Sequence, residues 1–87
     1  MRLLTTGRFE RDLKRARRRG KDIEKLHALV DLLLAGEQLP SRSRPHPLSG
    51  CWKGFWECHI EPDWLLIWKQ DEDSLILVRT GTHSDLF

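Results

Sequence analysis

No apolar run in this chain approaches the roughly 20 residues a membrane-spanning helix requires. The opening MRLLTTGRFERD also has too short an apolar part for a signal peptide, so a cytoplasmic location is the default expectation, with no membrane partner. Cysteine is scarce. Cys51 and Cys58 are the only two, and their spacing fits neither a zinc knuckle nor a redox Cys-x-x-Cys pair. Buried free thiols are expected rather than a disulfide. Internal repeats and low-complexity tracts are absent. With 87 residues, the chain has room for one domain, residues 1–87, and no second core; a chain of this size buries roughly 60 to 65% of its unfolded surface. The 39% hydrophobic and 32% charged residues exclude a disordered or fibrous chain.

Charge is present but unevenly placed. Residues 1–45 carry twelve Lys/Arg against six acids, a local +6, so the remainder carries −4 within a net charge of only +2. The N-terminal half can therefore attract a polyanion although the whole protein is mildly basic.

RLLT at the start reads as a short edge strand. From Arg8 to Arg19, Phe9, Leu13 and Ala16 recur at helical spacing between charged residues, with Thr6 as N-cap and Gly20 as stop. KDIEKLHALVDLLLAGE repeats the pattern with Ile23, Leu26, Leu29, Val30, Leu33 and Leu34, between Asp22 as cap and Gly36 as terminator. Residues 37–50 hold Pro40, Pro45 and Pro47 and read as a loop or partly extended connector. CWKGFWECHI, DWLLIWKQ and SLILVRT follow as three strands of an antiparallel meander. In the first of them, alternation predicts Trp52, Trp56, Cys58 and Ile60 on one side and Lys53, Phe55, Glu57 and His59 on the other. The second alternates less cleanly, which fits a strand covered on both faces. The expected fold is α+β: two antiparallel N-terminal helices packed on a small, mainly antiparallel sheet.

Candidate chemistry lies in the C-terminal half. His46, His59 and His83 fall in the proline connector, near the end of the first meander strand, and just past the last strand; Asp63 stands across a turn from His59, and Arg79 precedes His83. Zinc is a poor fit, because the histidine spacings match no recurrent ligand motif. Imidazoles with a carboxylate and an arginine instead suit RNA cleavage: a base removes the ribose 2′-OH proton, an acid protonates the departing 5′-oxygen, and a cation offsets phosphorane charge. Trp64 and Phe87 are candidates to stack on an unstacked base, against the alternative of core packing. The basic first helix would add salt-dependent contacts to RNA phosphates.

The strings HPLSGCWKGFWECHIEPDWLLIWK and RTGTH, with the final LF, resemble the YafQ branch of the RelE-type toxins, and the resemblance spans nearly the whole chain. It implies a RelE-like α+β fold and ribosome-dependent cleavage of mRNA in the ribosomal A site by 2′-OH attack. No metal or cofactor would be needed, and a cognate antitoxin would inhibit. By motif position it implies His46, His59, Asp63, Arg79 and His83 as catalytic residues, with Trp64 and Phe87 as aromatic contacts; Lys53 joins them as a substrate-binding candidate. His83 is expected as acid and His46 or His59 as base, with Asp63 orienting a histidine or sharing the base role. Removing His83–Phe87 is expected to abolish activity before the fold. Two rivals stand beside this reading: a ParE-like toxin that binds DNA gyrase, and a metal-binding interaction module.

Overall fold

Thr6 joins the first strand to the first helix. Its hydroxyl accepts from the Phe9 N–H (3.0 Å) and donates to the Val78 carbonyl (2.8 Å), a capping arrangement of a kind worth about 1 kcal/mol. The structure, a computed structural model, describes all 87 residues. The strand β1 (Arg2–Thr5) precedes α1 (Gly7–Arg18), which closes at Gly20 with φ of 81°, a conformation suited to glycine. The second helix, α2 (Ile23–Leu34), opens on Asp22, whose carboxylate accepts from the Glu24 N–H. After the proline connector come β2 (His46–Pro47), β3 (Trp56–Glu61), β4 (Trp64–Gln70), β5 (Ser74–Gly81) and a terminal turn of helix, α3 (His83–Leu86).

One sheet of order β1-β5-β4-β3-β2 results. The meander β3-β4-β5 is antiparallel, as its turn chemistry indicates, whereas β1 joins the edge of β5 in parallel. The connector is more ordered than its composition suggests: it forms two short 3-10 turns, and its His46–Pro47 pair becomes the antiparallel partner of Glu57 and Trp56. Proline is tolerated there because β2 lies at the sheet edge.

The central strand β4 is buried on both faces. Trp64, Leu66 and Trp68 join Phe9, Leu13 and Ala16 of α1 and Leu26, Leu29 and Val30 of α2 in the main core. Leu65 and Ile67 face the other way, under Leu86, Leu48, Trp52, Phe55 and Val78. Trp52 thus lies with Phe55, not with Trp56 as strict alternation predicts. The Gly50–Trp52 turn ends the regular pleat before β3 begins, so the two-residue period does not extend back to Trp52.

The thiols also separate. Cys58 is fully buried and Cys51 is exposed, both free, so the expectation of two buried thiols holds for Cys58 alone. Burial, with the Glu57 charge adding, pushes the Cys58 thiol up to about 12. A thiol-specific reagent at pH 8 should therefore label one cysteine per native molecule and two after denaturation; two native labels would contradict this packing.

Candidate active site

The sheet face turned away from α1 and α2 collects the imidazoles. Glu57 and His59 alternate with the core residues Cys58 and Ile60 and so project onto this face. His46 stands directly opposite Glu57 across the β2–β3 pair. The turn between β3 and β4 carries Asp63, and β5 runs on through Gly81 into α3, which begins with His83. Register irregularities lie at Ile60 in β3 and Val78 in β5; such bulges re-aim side chains next to sites.

Asp63 and His83 form a close pair. One Asp63 oxygen accepts from both the His83 backbone N–H (2.9 Å) and its Nδ1 (2.6 Å). These two bonds, backbone first, hold the Asp63 carboxyl below the usual carboxylate range. An ionised Asp63 requires His83 Nδ1 to carry a proton, which leaves Nε2 as the working nitrogen. The same logic covers the other two rings. His59 Nδ1 faces the Pro62 carbonyl at 3.2 Å, and His46 Nδ1 faces the Arg44 carbonyl at 2.8 Å. Carbonyls only accept, so each Nδ1 donates, and a neutral His59 ring offers its Nε2 lone pair. The His59 and His83 ring centroids are 5.7 Å apart.

His46 Nε2 lies 3.3 Å from a Glu57 oxygen. Glu57 is 5% exposed, and its other oxygen, Oε2, is the one buried side-chain polar atom without a partner. A buried carboxylate oxygen without a donor carries a desolvation cost, which the His46 contact at the other oxygen offsets in part. Sequence reading placed Glu57 on the His59 side and gave it no chemistry; that shared side was the available signal.

Phe87 is 61% exposed and packs edge-on against Trp52, with centroids 6.0 Å apart, while Trp52 packs on Phe55. It stands free as an aromatic wall. Lys53 is also exposed and makes no ion pair. Trp64 does not belong to this surface: it is 1% exposed, sits in the helix-side core, and donates from Nε1 to the Thr80 hydroxyl at 3.0 Å. The base-stacking expectation for Trp64 gives way to core packing, because even-numbered β4 residues face the helices.

Arg79 is likewise engaged elsewhere. Its Nε and one terminal nitrogen donate to Asp12 of α1 at 2.7 and 3.3 Å, and the Thr80 N–H shares the same carboxylate. Asp12 is 4% exposed although it is charged. A carboxylate at position 12, within the Phe9-Leu13-Ala16 stripe, was the sequence signal for this pair.

The terminal helix is latched to α1. Asp85 closes a capping box with Thr82 and binds Arg19 at 2.7 Å, with Arg15 at 3.7 Å. A Cβ on Gly81 would lie 2.9 Å from the Asp85 Cβ, so glycine permits this approach. Arg19 first, then the Thr82 N–H, holds the Asp85 carboxyl well below its ordinary value. A lowered folded-state value means that the pair stabilises α3 above the usual carboxylate range near pH 4 and loses that contribution as pH falls through the depressed value. Asp85→Asn should consequently lower the Tm at pH 7, and the gap from wild type should close in strong acid. Equal melts at pH 7 would show that the latch carries no stability.

A small α+β domain with two helices on one sheet face and clustered imidazoles and carboxylates on the other defines the class, that of the RelE-like toxins. The chain belongs to the YafQ family, described as bacterial toxins of type II toxin-antitoxin systems, whose family model matches residues 1–87. It is 45% identical over 83 residues to the mRNA interferase toxin YafQ of Escherichia coli K12, covering 94% of this chain and 90% of that protein. The crystal structure of YafQ from E. coli BL21(DE3) superposes with a TM-score of 0.95 at 42% identity, covering 100% of this chain and 99% of that one. YafQ in the E. coli DinJ-YafQ complex does so with 0.92 at 43%, again covering 100% and 99%.

Proposed function

We propose that this protein is an mRNA interferase that cuts message by 2′-OH attack, with His83 as general acid and His59 as general base. The observation that carries the assignment is the Nδ1 anchoring: two rings 5.7 Å apart, each with Nε2 free to exchange a proton. His59 takes the 2′-OH proton, the 2′-oxygen bonds to phosphorus, the P–O5′ bond breaks, and His83 protonates the departing oxygen. The products are a 2′,3′-cyclic phosphate and a 5′-hydroxyl. Asp63 orients His83 and offsets the charge of its protonated ring. Glu57 positions His46 at the edge of the site. Phe87 and Trp52 wall the base, and Lys53 meets the RNA backbone. Arg79 acts through the scaffold.

The expected setting is the A site of translating ribosomes in the cytoplasm. A cognate antitoxin is expected as inhibitor, as the DinJ-YafQ complex exemplifies for the E. coli relative. The test is cleavage of message on translating ribosomes, with a 2′-deoxy nucleotide placed at the cut. Cleavage that leaves a cyclic phosphate and is blocked by the deoxy substitution supports the reading. Cleavage indifferent to the deoxy group, or inhibition of gyrase supercoiling with intact message, would overturn it.

A further inference from the structure

Beside His59 the surface opens into a cleft whose lining includes neither Asp63 nor His83. Its first part, about 290 Å³, is lined by Arg42, Arg44, His59, Ile60, Glu61 and Pro62. A second part, about 480 Å³, shares Arg42, His59 and Ile60 and continues to Lys25 along an apolar wall that includes Leu29, Leu32 and Pro40. The cleft follows β3 beyond the reach of β2, whose pairing ends at Glu57.

Positive charge is concentrated here and only partly compensated. Lys21 and Lys25 both bind the single carboxylate of Glu61, at 3.1 and 2.9 Å. Arg42 and Arg44 are exposed and make no ion pair, so two guanidinium groups are left free beside the cleft. The Glu61 hydrogen bond holds the Lys25 proton more firmly than usual, and Arg42 is near enough to act weakly against it. Like charges gathered at this spacing destabilise the free protein and favour a bound anion. Arg44 also takes up a left-handed backbone conformation (φ 47°), uncommon for a residue with a side chain, while its carbonyl anchors His46. The loop that supplies the two arginines is thereby tied to the catalytic face.

We infer that this cleft is a nucleotide subsite for single-stranded RNA next to the cut, in which Arg42 and Arg44 hold a backbone phosphate and the Leu29-Leu32-Pro40 wall receives the adjoining base or ribose. The inference rests on the interferase reading. Guanidinium pairs suit phosphate oxygens, and an apolar wall beside them suits a base face better than a carboxylate-rich peptide. Because the lining includes His59 and excludes His83, the cleft engages the strand on one side of the scissile phosphate only.

The test pairs protein and substrate changes. Wild type and the Arg42→Gln/Arg44→Gln variant are compared on ribosome-bound message in which the phosphates flanking the cut are replaced, one at a time, by neutral methylphosphonates. Wild type should lose efficiency at a phosphate on one side of the cut, and the variant should be insensitive to that replacement. The variant should also show a KM raised roughly tenfold with little change in kcat, and a salt slope shallower by about 0.7, as expected for loss of one phosphate contact on a single strand. Both side chains are exposed, so an unchanged Tm confirms that folding is intact. If wild type cleaves and the variant keeps the same KM and the same methylphosphonate pattern, the subsite is wrong while the enzyme reading stands. If cleavage is unchanged and only antitoxin binding weakens, the cleft belongs to the protein partner and the inference fails. If wild type does not cut message at all, the interferase reading itself fails, and the subsite with it.

Discussion

His83→Ala is expected to reduce message cleavage by about 10³-fold, within the range typical for loss of a positioned general acid, while leaving the Tm close to wild type. The ring is exposed, and its hydrogen bond is to Asp63, itself at the surface. Truncation removes little packing, because the helix-side core and the cluster around Leu65 and Ile67 do not include His83. His83→Gln is a useful companion, since it retains a polar side chain toward Asp63 and cannot transfer the proton. Full cleavage by either variant on translating ribosomes would remove His83 from the acid role. Deleting His83–Phe87 is a different experiment from the one the sequence suggests. It removes Leu86 from the cluster over Leu65 and Ile67, and Asp85 from Arg19. Stability is therefore lost together with activity, and the point substitution is the cleaner probe.

Arg79→Ala should act mainly on stability, costing roughly 3 kcal/mol, the lower end of what breaking a buried ion pair costs. In a domain of this size that corresponds to a fall in Tm of roughly 12 to 24 °C. The cause is what remains behind: the Asp12 side chain is 3% exposed, and without the Arg79 guanidinium it retains the Thr80 N–H and a looser contact at 4.0 Å with Arg15, whose side chain is 41% exposed. The Arg79 side chain, 12% exposed, has its own proton held more firmly by Asp12, in keeping with a pair formed inside the fold. An apolar replacement of both partners, Asp12→Leu with Arg79→Met, should recover part of the loss, because neither charge is then left uncompensated. Calorimetry of the single and double variants measures this directly. If Arg79→Ala melts like wild type and only its cleavage falls, the guanidinium serves the phosphate and not the scaffold.

The features legible in the sequence are those whose cause is local. Helical spacing of Phe9, Leu13 and Ala16, caps at Thr6 and Asp22, a stop at Gly20 and turn chemistry around Pro62 and Asp71 are each fixed by neighbours within a few positions, and the structure shows them where periodicity and capping place them. The motif strings identified the family for the same reason: short stretches around His46, His59 and His83 are specific as written. Where a local regularity was carried too far it failed, as at Trp52, whose side is set by a 3-10 turn and not by strand alternation.

Partnership across the chain was decided only by the tertiary structure. Arg79 and Asp12 are 67 positions apart, Arg19 and Asp85 are 66, and the parallel docking of β1 on β5 spans a similar distance. Nothing in the immediate surroundings of RTGTHSDLF indicates that its arginine turns to α1, that its aspartate latches to the same helix, or that its histidine meets Asp63. By itself the sequence determined the two main helices, the meander strands, the family and the imidazoles available for proton transfer, whereas β2 and α3 emerged only with the fold. Folding determined which charges neutralise one another and which remain free for RNA, because a pairing energy depends on separation and burial in space, and neither is a property of sequence neighbours.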